Sequence, residues 1–187
     1  MANAGSNTVS AFTINRLDGR LTAVSGSPFA TGTMPRAVAV HPTGRFVYVV
    51  NESSNDVSVY AINSATGALA PVGGSVVAGA SPVSITVDPT GRVAYVVNQG
   101  SNDVSVFTIN GTTGALTAAS APIATGALPV SVSVDPSGRF AYVDYGNNSV
   151  SVFTLDGITG ALTAVGSPVA VGTTPRGVTV DPTGRFT

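Results

Sequence analysis

The sequence predicts an all-β protein, a β-propeller built from four-stranded antiparallel blades. Three observations predict it. Two phrases repeat at one period, the composition favours strands and turns, and the alternation inside a period resolves into four short strands. Val-Ser-Ala/Val-Phe/Tyr starts at Val9, Val57, Val104 and Val150, and His/Asp-Pro-Thr/Ser-Gly-Arg starts at His41, Asp88, Asp135 and Asp181. Both recur every 46 to 48 residues, which is the length of one propeller blade. Among branched apolar residues there are 30 Val against 7 Leu and 6 Ile, with 22 Gly and 12 Pro, a mixture that disfavours helices.

Within the clearest period, Ala37 to Val40 reads as the first strand, followed by the His41-Pro42-Thr43-Gly44 turn, where Pro fixes φ and Gly tolerates a positive φ. Phe46 to Asn51 is the second strand, Val57 to Asn63 the third after a polar turn, and Ala68 to Val77 holds the fourth. In the first strands Val38/Val40, Ile85/Val87, Val132/Val134 and Val178/Val180 make a branched face. Ala37/Ala39, Ser84/Thr86, Ser131/Ser133 and Gly177/Thr179 make a small one. A branched face against a small face lets neighbouring sheets interdigitate, so these Ser and Thr read as packing residues.

The expected organisation is a single propeller unit over 1–187, with complete blades at 34–80, 81–127 and 128–173 and complementary partial blades at 1–33 and 174–187. An isolated chain with part of a blade at each end would carry unpaired sheet edges. Two closures are open at this point. Two chains can lend partial blades to each other in an eight-bladed ring with two-fold symmetry, or one chain can close as a four-bladed monomer. Flat, closely packed blade faces favour the larger ring, and a fragment of a longer propeller is a third reading.

Charge excludes several function classes. Eight Arg, no Lys, eight Asp and one Glu give a net charge of -1, which is unsuited to nucleic-acid binding. There is no Cys, hence no disulfide, thiolate metal site or Cys nucleophile. No apolar run reaches the length of a membrane span, and Met1 to Ser6 lack the basic and apolar regions of a signal peptide, so a soluble chain is expected. One His and one Glu do not make a metal cluster, and neither a metal nor another cofactor is expected. Arg45, Arg92, Arg139 and Arg185 follow a turn Gly in every blade and read as structural.

The runs Phe46-Val47-Tyr48-Val49-Val50-Asn51, Val93-Ala94-Tyr95-Val96-Val97-Asn98 and Phe140-Ala141-Tyr142-Val143-Asp144-Tyr145 resemble the Tyr-Val-Thr-Asn (YVTN) propeller repeat. Together with the Pro-Thr-Gly-Arg and Thr-Gly-Ala-Leu phrases, they resemble the seven-bladed lactonase family, which includes 6-phosphogluconolactonases and carboxymuconate cyclases. The resemblance implies a propeller fold and a secreted or cell-surface origin. A family blade reading Pro-Arg-His, then His-Pro, then Asn-Glu contributes an Arg and a Glu to the site, and Arg36 and Glu52 match those positions. An Arg can hold a carboxylate or a developing oxyanion while a Glu handles a proton. Arg36, His41 and Arg176 are the candidate ligand-binding residues, and Arg36 and Glu52 the candidate catalytic pair. The departures are Ala37 where the family has His, and Pro82-Val83 and Pro129-Val130 in place of Pro-His.

These losses set the functional expectation: a non-enzymatic repeat scaffold that self-assembles through its terminal half-blades and offers a ring face to a protein or small-molecule ligand. The alternative is a lactone hydrolase or cycloisomerase using Arg36 and Glu52. Fold alone does not choose between them.

Overall fold

The computed structural model describes residues 1–187 and contains strands and turns with no helix; nothing in it is a helix long and apolar enough to cross a membrane. The chain forms an open arc of blades. The first, partial blade holds β1 (Ala2–Asn3), β2 (Thr8–Val9), β3 (Phe12–Ile14), β4 (Leu21–Ala23) and β5 (Phe29–Ala30). Its sheet runs β1-β2-β5, with β3-β4 as a separate hairpin. The first complete blade follows as β6 (Pro35–Val40), β7 (Phe46–Asn51), β8 (Asp56–Ile62), β9 (Leu69–Pro71) and β10 (Val76–Val77).

The second complete blade repeats this pattern as β11 (Pro82–Val87), β12 (Val93–Asn98), β13 (Asp103–Ile109), β14 (Leu116–Ala118) and β15 (Ile123–Ala124). The third is β16 (Pro129–Val134), β17 (Phe140–Tyr145), β18 (Ser149–Leu155) and β19 (Leu162–Ala170). Every pairing is antiparallel.

Two expectations are corrected here. The fourth strand expected over Ala68 to Val77 is broken into β9 and β10, because Pro71 pairs with Tyr60 and Val76 with Val57, so that residues 72–75 face only positions 58 and 59 and must leave the ladder. Residues 174–187 keep the Asp181 turn, with Gly184 N–H donating to the Asp181 carbonyl at 2.9 Å, but form no strand. A strand needs a ladder partner, and residues 174–187 pair with no strand of the chain. No hydrogen bond joins this segment to residues 1–33, so the four-bladed closure is not what this chain forms.

The core lies between blades. Phe46, Tyr48 and Val50 meet Ile85, Ala94, Val96 and Phe107 between the first and second complete blades. Tyr95, Val97 and Val104 meet Val132, Ala141 and Val143 between the second and third. Ala37 and Ala39 pack into the cluster that holds Ile85, the small face against the branched one. Each fully buried Val or Phe in these seams contributes about 1.5–3 kcal/mol.

Polar latches fix the blades in register. Asn7, Asn55, Asn102 and Asn148 occupy the left-handed region. Their Oδ1 atoms accept the backbone N–H of Met34, Ser81, Leu128 and Thr174, at 2.9, 2.8, 2.8 and 2.7 Å. Those four acceptors hold residues that themselves have positive φ. Asn tolerates the left-handed conformation where most residues do not. Asn102→Ala therefore loses both the acceptor and the tolerated backbone, with an expected cost of about 2 kcal/mol in urea unfolding; an unchanged midpoint contradicts the latch.

Candidate active site

Arg36 owes its position to a β-bulge. Pro35 pairs with Asn51 and Ala37 with Val50, leaving Arg36 as the extra residue, and a bulge re-aims the side chain it carries. Val83 and Val130 occupy the same bulge in the next two blades. Glu52 follows β7 directly. Its N–H donates to the Met34 carbonyl at 2.9 Å and the Ser53 N–H to the Thr33 carbonyl at 3.1 Å, tying the turn after β7 to the entry of β6. Beneath it the buried Asn51 donates through Nδ2 to Asp56 Oδ1 at 2.7 Å and Ser58 Oγ at 2.9 Å.

The structure thus brings together the two residues sixteen positions apart: Arg36 Nε lies 2.6 Å from Glu52 Oε2, with the side chains 48% and 20% exposed. The contact is off-axis, so Oε2 accepts no linear hydrogen bond although it is itself screened from water. A charged donor and a carboxylate with unused lone pairs therefore sit side by side at an accessible end of the blade.

The other two candidates are elsewhere. His41 lies at the far end of β6, five residues or roughly 16 Å along the strand, and is 5% exposed. Its Nε2 lies 2.8 Å from the Gly91 carbonyl, and Nδ1 lies 2.8 Å from Thr43 Oγ1 and 3.2 Å from the Thr43 N–H. A carbonyl only accepts, so Nε2 carries the proton and Nδ1 accepts from Thr43. With both nitrogens engaged, His41 is a tie between blades and has no atom free for a ligand; a Cβ at Gly91 would come within 2.5 Å of Nε2.

In the equivalent slot Asp181 accepts from the Thr183 hydroxyl and from the N–H groups of Phe186, Thr183 and Arg185, which hold its carboxyl down at about 2. Arg176 is exposed in the last segment and makes no ion pair; the position matching Glu52 there is Ala4. Arg45, Arg139 and Arg185 lie over the Phe46, Phe140 and Phe186 rings at 5.1, 5.4 and 5.4 Å.

One polar residue was missed. Asp144 stands where the earlier blades have Val50 and Val97, and the break in the Val-Val pattern was its signal. It is 1% exposed, neither carboxylate oxygen has a hydrogen-bond partner, and it lines a largely apolar cavity of about 510 Å³ with Tyr142, Val150, Val152 and Val178. Burial pushes its carboxyl up, and the nearby N–H groups of Tyr145 and Gly177 offset this only in part.

A carboxyl whose folded-state value is raised stabilises the fold most below its ordinary 3.8 and loses that contribution as pH rises through the raised value. Asp144→Val is therefore expected to stabilise the chain at pH 7 by about 1 kcal/mol, allowing for water in the open cavity. The gain should fade as the pH falls through the raised value and be gone below 3.8. Equal midpoints for variant and parent across the whole pH range would contradict this.

The sequence pattern of the lactonase, 7-bladed beta-propeller family matches residues 1–83, 75–132 and 128–187, which together span the chain. The chain belongs to this family. Among solved structures, this lactonase-family chain is similar to a candidate 6-phosphogluconolactonase of Bacteroides fragilis, at 24% identity and a TM-score of 0.85 over 94% of this chain and 52% of that one. A second candidate 6-phosphogluconolactonase, from Bacteroides uniformis, matches at 20% identity and a TM-score of 0.85 over 98% and 57%. The periplasmic gluconolactonase of Pseudomonas aeruginosa matches at 24% identity and a TM-score of 0.78 over 94% and 51%. The family chain thus spans about half the length of these structures. No curated protein sequence matches it.

Proposed function

We propose that this chain acts in lactone hydrolysis, on the lactone of a sugar acid, with Arg36 and Glu52 as the catalytic pair. The observation that carries the reading is their ion pair on the β6 bulge, in a chain of the lactonase family. Similarity to proteins described as 6-phosphogluconolactonase and gluconolactonase supplies the substrate class. The expectation of a scaffold without activity finds no support in these comparisons, and the lactonase alternative fits them better.

In the proposed reaction Glu52 takes a proton from water as the oxygen adds to the lactone carbonyl. Arg36 then stabilises the tetrahedral oxyanion through its N–H groups. The ring C–O bond breaks, and the proton held by Glu52 passes to the leaving alkoxide, giving the open hydroxy acid. Arg176 holds the repeat position of Arg36 on the last segment and offers a second cation to an anionic substrate. The test is turnover of a panel of five- and six-membered sugar lactones, with and without a phosphate group, followed as acid release. Rates equal to the uncatalysed background across the panel reject the proposal.

A further inference from the structure

The turn that leads into the fourth strand of each complete blade is held by the side chain of its first residue. Asn63 Oδ1 accepts the N–H groups of Ala65 and Thr66, both at 3.0 Å, and Asn110 Oδ1 those of Thr112 and Thr113, also at 3.0 Å. In the third blade Asp156 Oδ1 accepts from the Ile158 N–H at 3.0 Å and the Thr159 N–H at 2.7 Å. The residue that follows differs: Ser64, Gly111 and Gly157. Asn110 is the one asparagine of the chain that precedes a glycine.

An asparagine in that position can cyclise, because no Cβ shields the glycine nitrogen from the amide carbon. Three features of this turn favour the step. Asn110 and Gly111 are exposed to water. The Gly111 N–H donates to no acceptor, so its nitrogen is not tied into the fold. The two N–H groups at Asn110 Oδ1 stand where negative charge develops as the nitrogen adds to Cγ, in the manner of an oxyanion hole. Asp156 lacks this reactivity: the Thr159 N–H and hydroxyl and the Ile158 N–H hold its carboxyl below the ordinary 3.8, and a carboxylate is a poor electrophile.

We propose that Asn110 is a site of spontaneous deamidation through a cyclic imide, and that its isoaspartyl product loosens the seam between the first and second complete blades. Gly111 N bonds to Asn110 Cγ and loses its proton, while Nδ2 takes up a proton and leaves as ammonia. Water then opens the imide. Breaking the bond from N to Cγ gives aspartate, whereas breaking the bond from N to the original main-chain carbonyl carbon gives isoaspartate, whose chain runs through Cβ. Aspartate fits, since Asp156 holds the equivalent turn. Isoaspartate adds a methylene to the main chain just before Gly111 and Thr112, whose carbonyls accept from Arg45 Nη1 and Nη2 at 3.3 and 3.2 Å. The residue 110 carbonyl, which accepts the Gly114 N–H at 2.7 Å, becomes a free carboxylate. Gly114 in turn holds Tyr48, whose OH donates to its carbonyl at 3.1 Å. One altered residue thus disturbs every one of these bonds between the blades.

Mass spectrometry of peptides from the purified chain, aged at mildly alkaline pH, follows the amide of each asparagine. Asn110 is expected to lose its amide roughly tenfold or more faster than Asn63, which has the same pair of N–H donors but precedes Ser64. Gly111→Ala should slow the loss by a similar factor with the fold unchanged, because a Cβ there meets nothing within 4 Å and the backbone is not left-handed. In urea the fraction carrying isoaspartate should unfold at a lower midpoint than the parent, and Asn110→Asp at the parent's midpoint. Equal rates at Asn110 and Asn63, or an unchanged rate in Gly111→Ala, overturn the site. An isoaspartate fraction as stable as the parent, or Asn110→Asp as unstable as that fraction, overturns the effect on the seam.

Discussion

Glu52→Gln is expected to lower kcat/KM for the preferred lactone by about 100-fold or more, with the fold intact. The amide keeps the shape of the carboxylate but cannot accept the proton of the attacking water, so the loss should fall on kcat. Arg36→Met is expected to reduce kcat by a similar factor, because the oxyanion loses its charged donor. The stability of the arc should hardly move in either variant, since a partly exposed ion pair contributes about 0–1 kcal/mol. Unfolding midpoints measured beside the lactone rates separate the two effects. Full activity in Glu52→Gln would remove Glu52 from the chemistry and leave the Arg36 contact as an ordinary surface ion pair.

Gly114→Ala is expected to destabilise the chain by about 3 kcal/mol, and Gly44→Ala by only about 1 kcal/mol. Both glycines have a left-handed backbone, with φ +77 and +70, so both substitutions incur the same strain. A Cβ at Gly44 meets nothing within 4 Å, whereas at Gly114 it would run into the Phe46 ring of the preceding blade. Phe46 is itself locked beneath Arg45, whose Nη1 and Nη2 donate to the carbonyls of Gly111 and Thr112 at 3.3 and 3.2 Å. The ring cannot yield without breaking that seam. Urea denaturation of the two variants checks the difference, and equal losses would show that the seam is softer than its contacts suggest.

The division between what the sequence shows and what it hides follows the range of the interaction. Phe46 to Asn51 is legible as a strand because β-branched and aromatic residues alternate between turn signals, and β7 has those bounds. Arg36 and Glu52 are legible as a pair because a hairpin returns its two ends to one place. The displacement of Arg36 onto a bulge is not, since Pro35 and Ala37 look like ordinary strand residues until their partners Asn51 and Val50 are known.

His41 shows the limit most clearly. Its slot in the repeat identifies a turn residue, but its second nitrogen is committed to Gly91, fifty positions away in the next blade. No spacing rule reaches that far.

The sequence by itself determines the blade: its period, its four-strand plan and its turns, because these depend on contacts within some 50 residues. It also singles out the one blade with an Arg and a Glu at its accessible end. The tertiary structure alone decides that the chain is an open arc rather than a small closed ring, that His41 serves a seam and not a site, and that Asp144 and Tyr142 face a cavity without partners. Those outcomes depend on the angle at which whole sheets pack and on which faces are left over once the blades have paired.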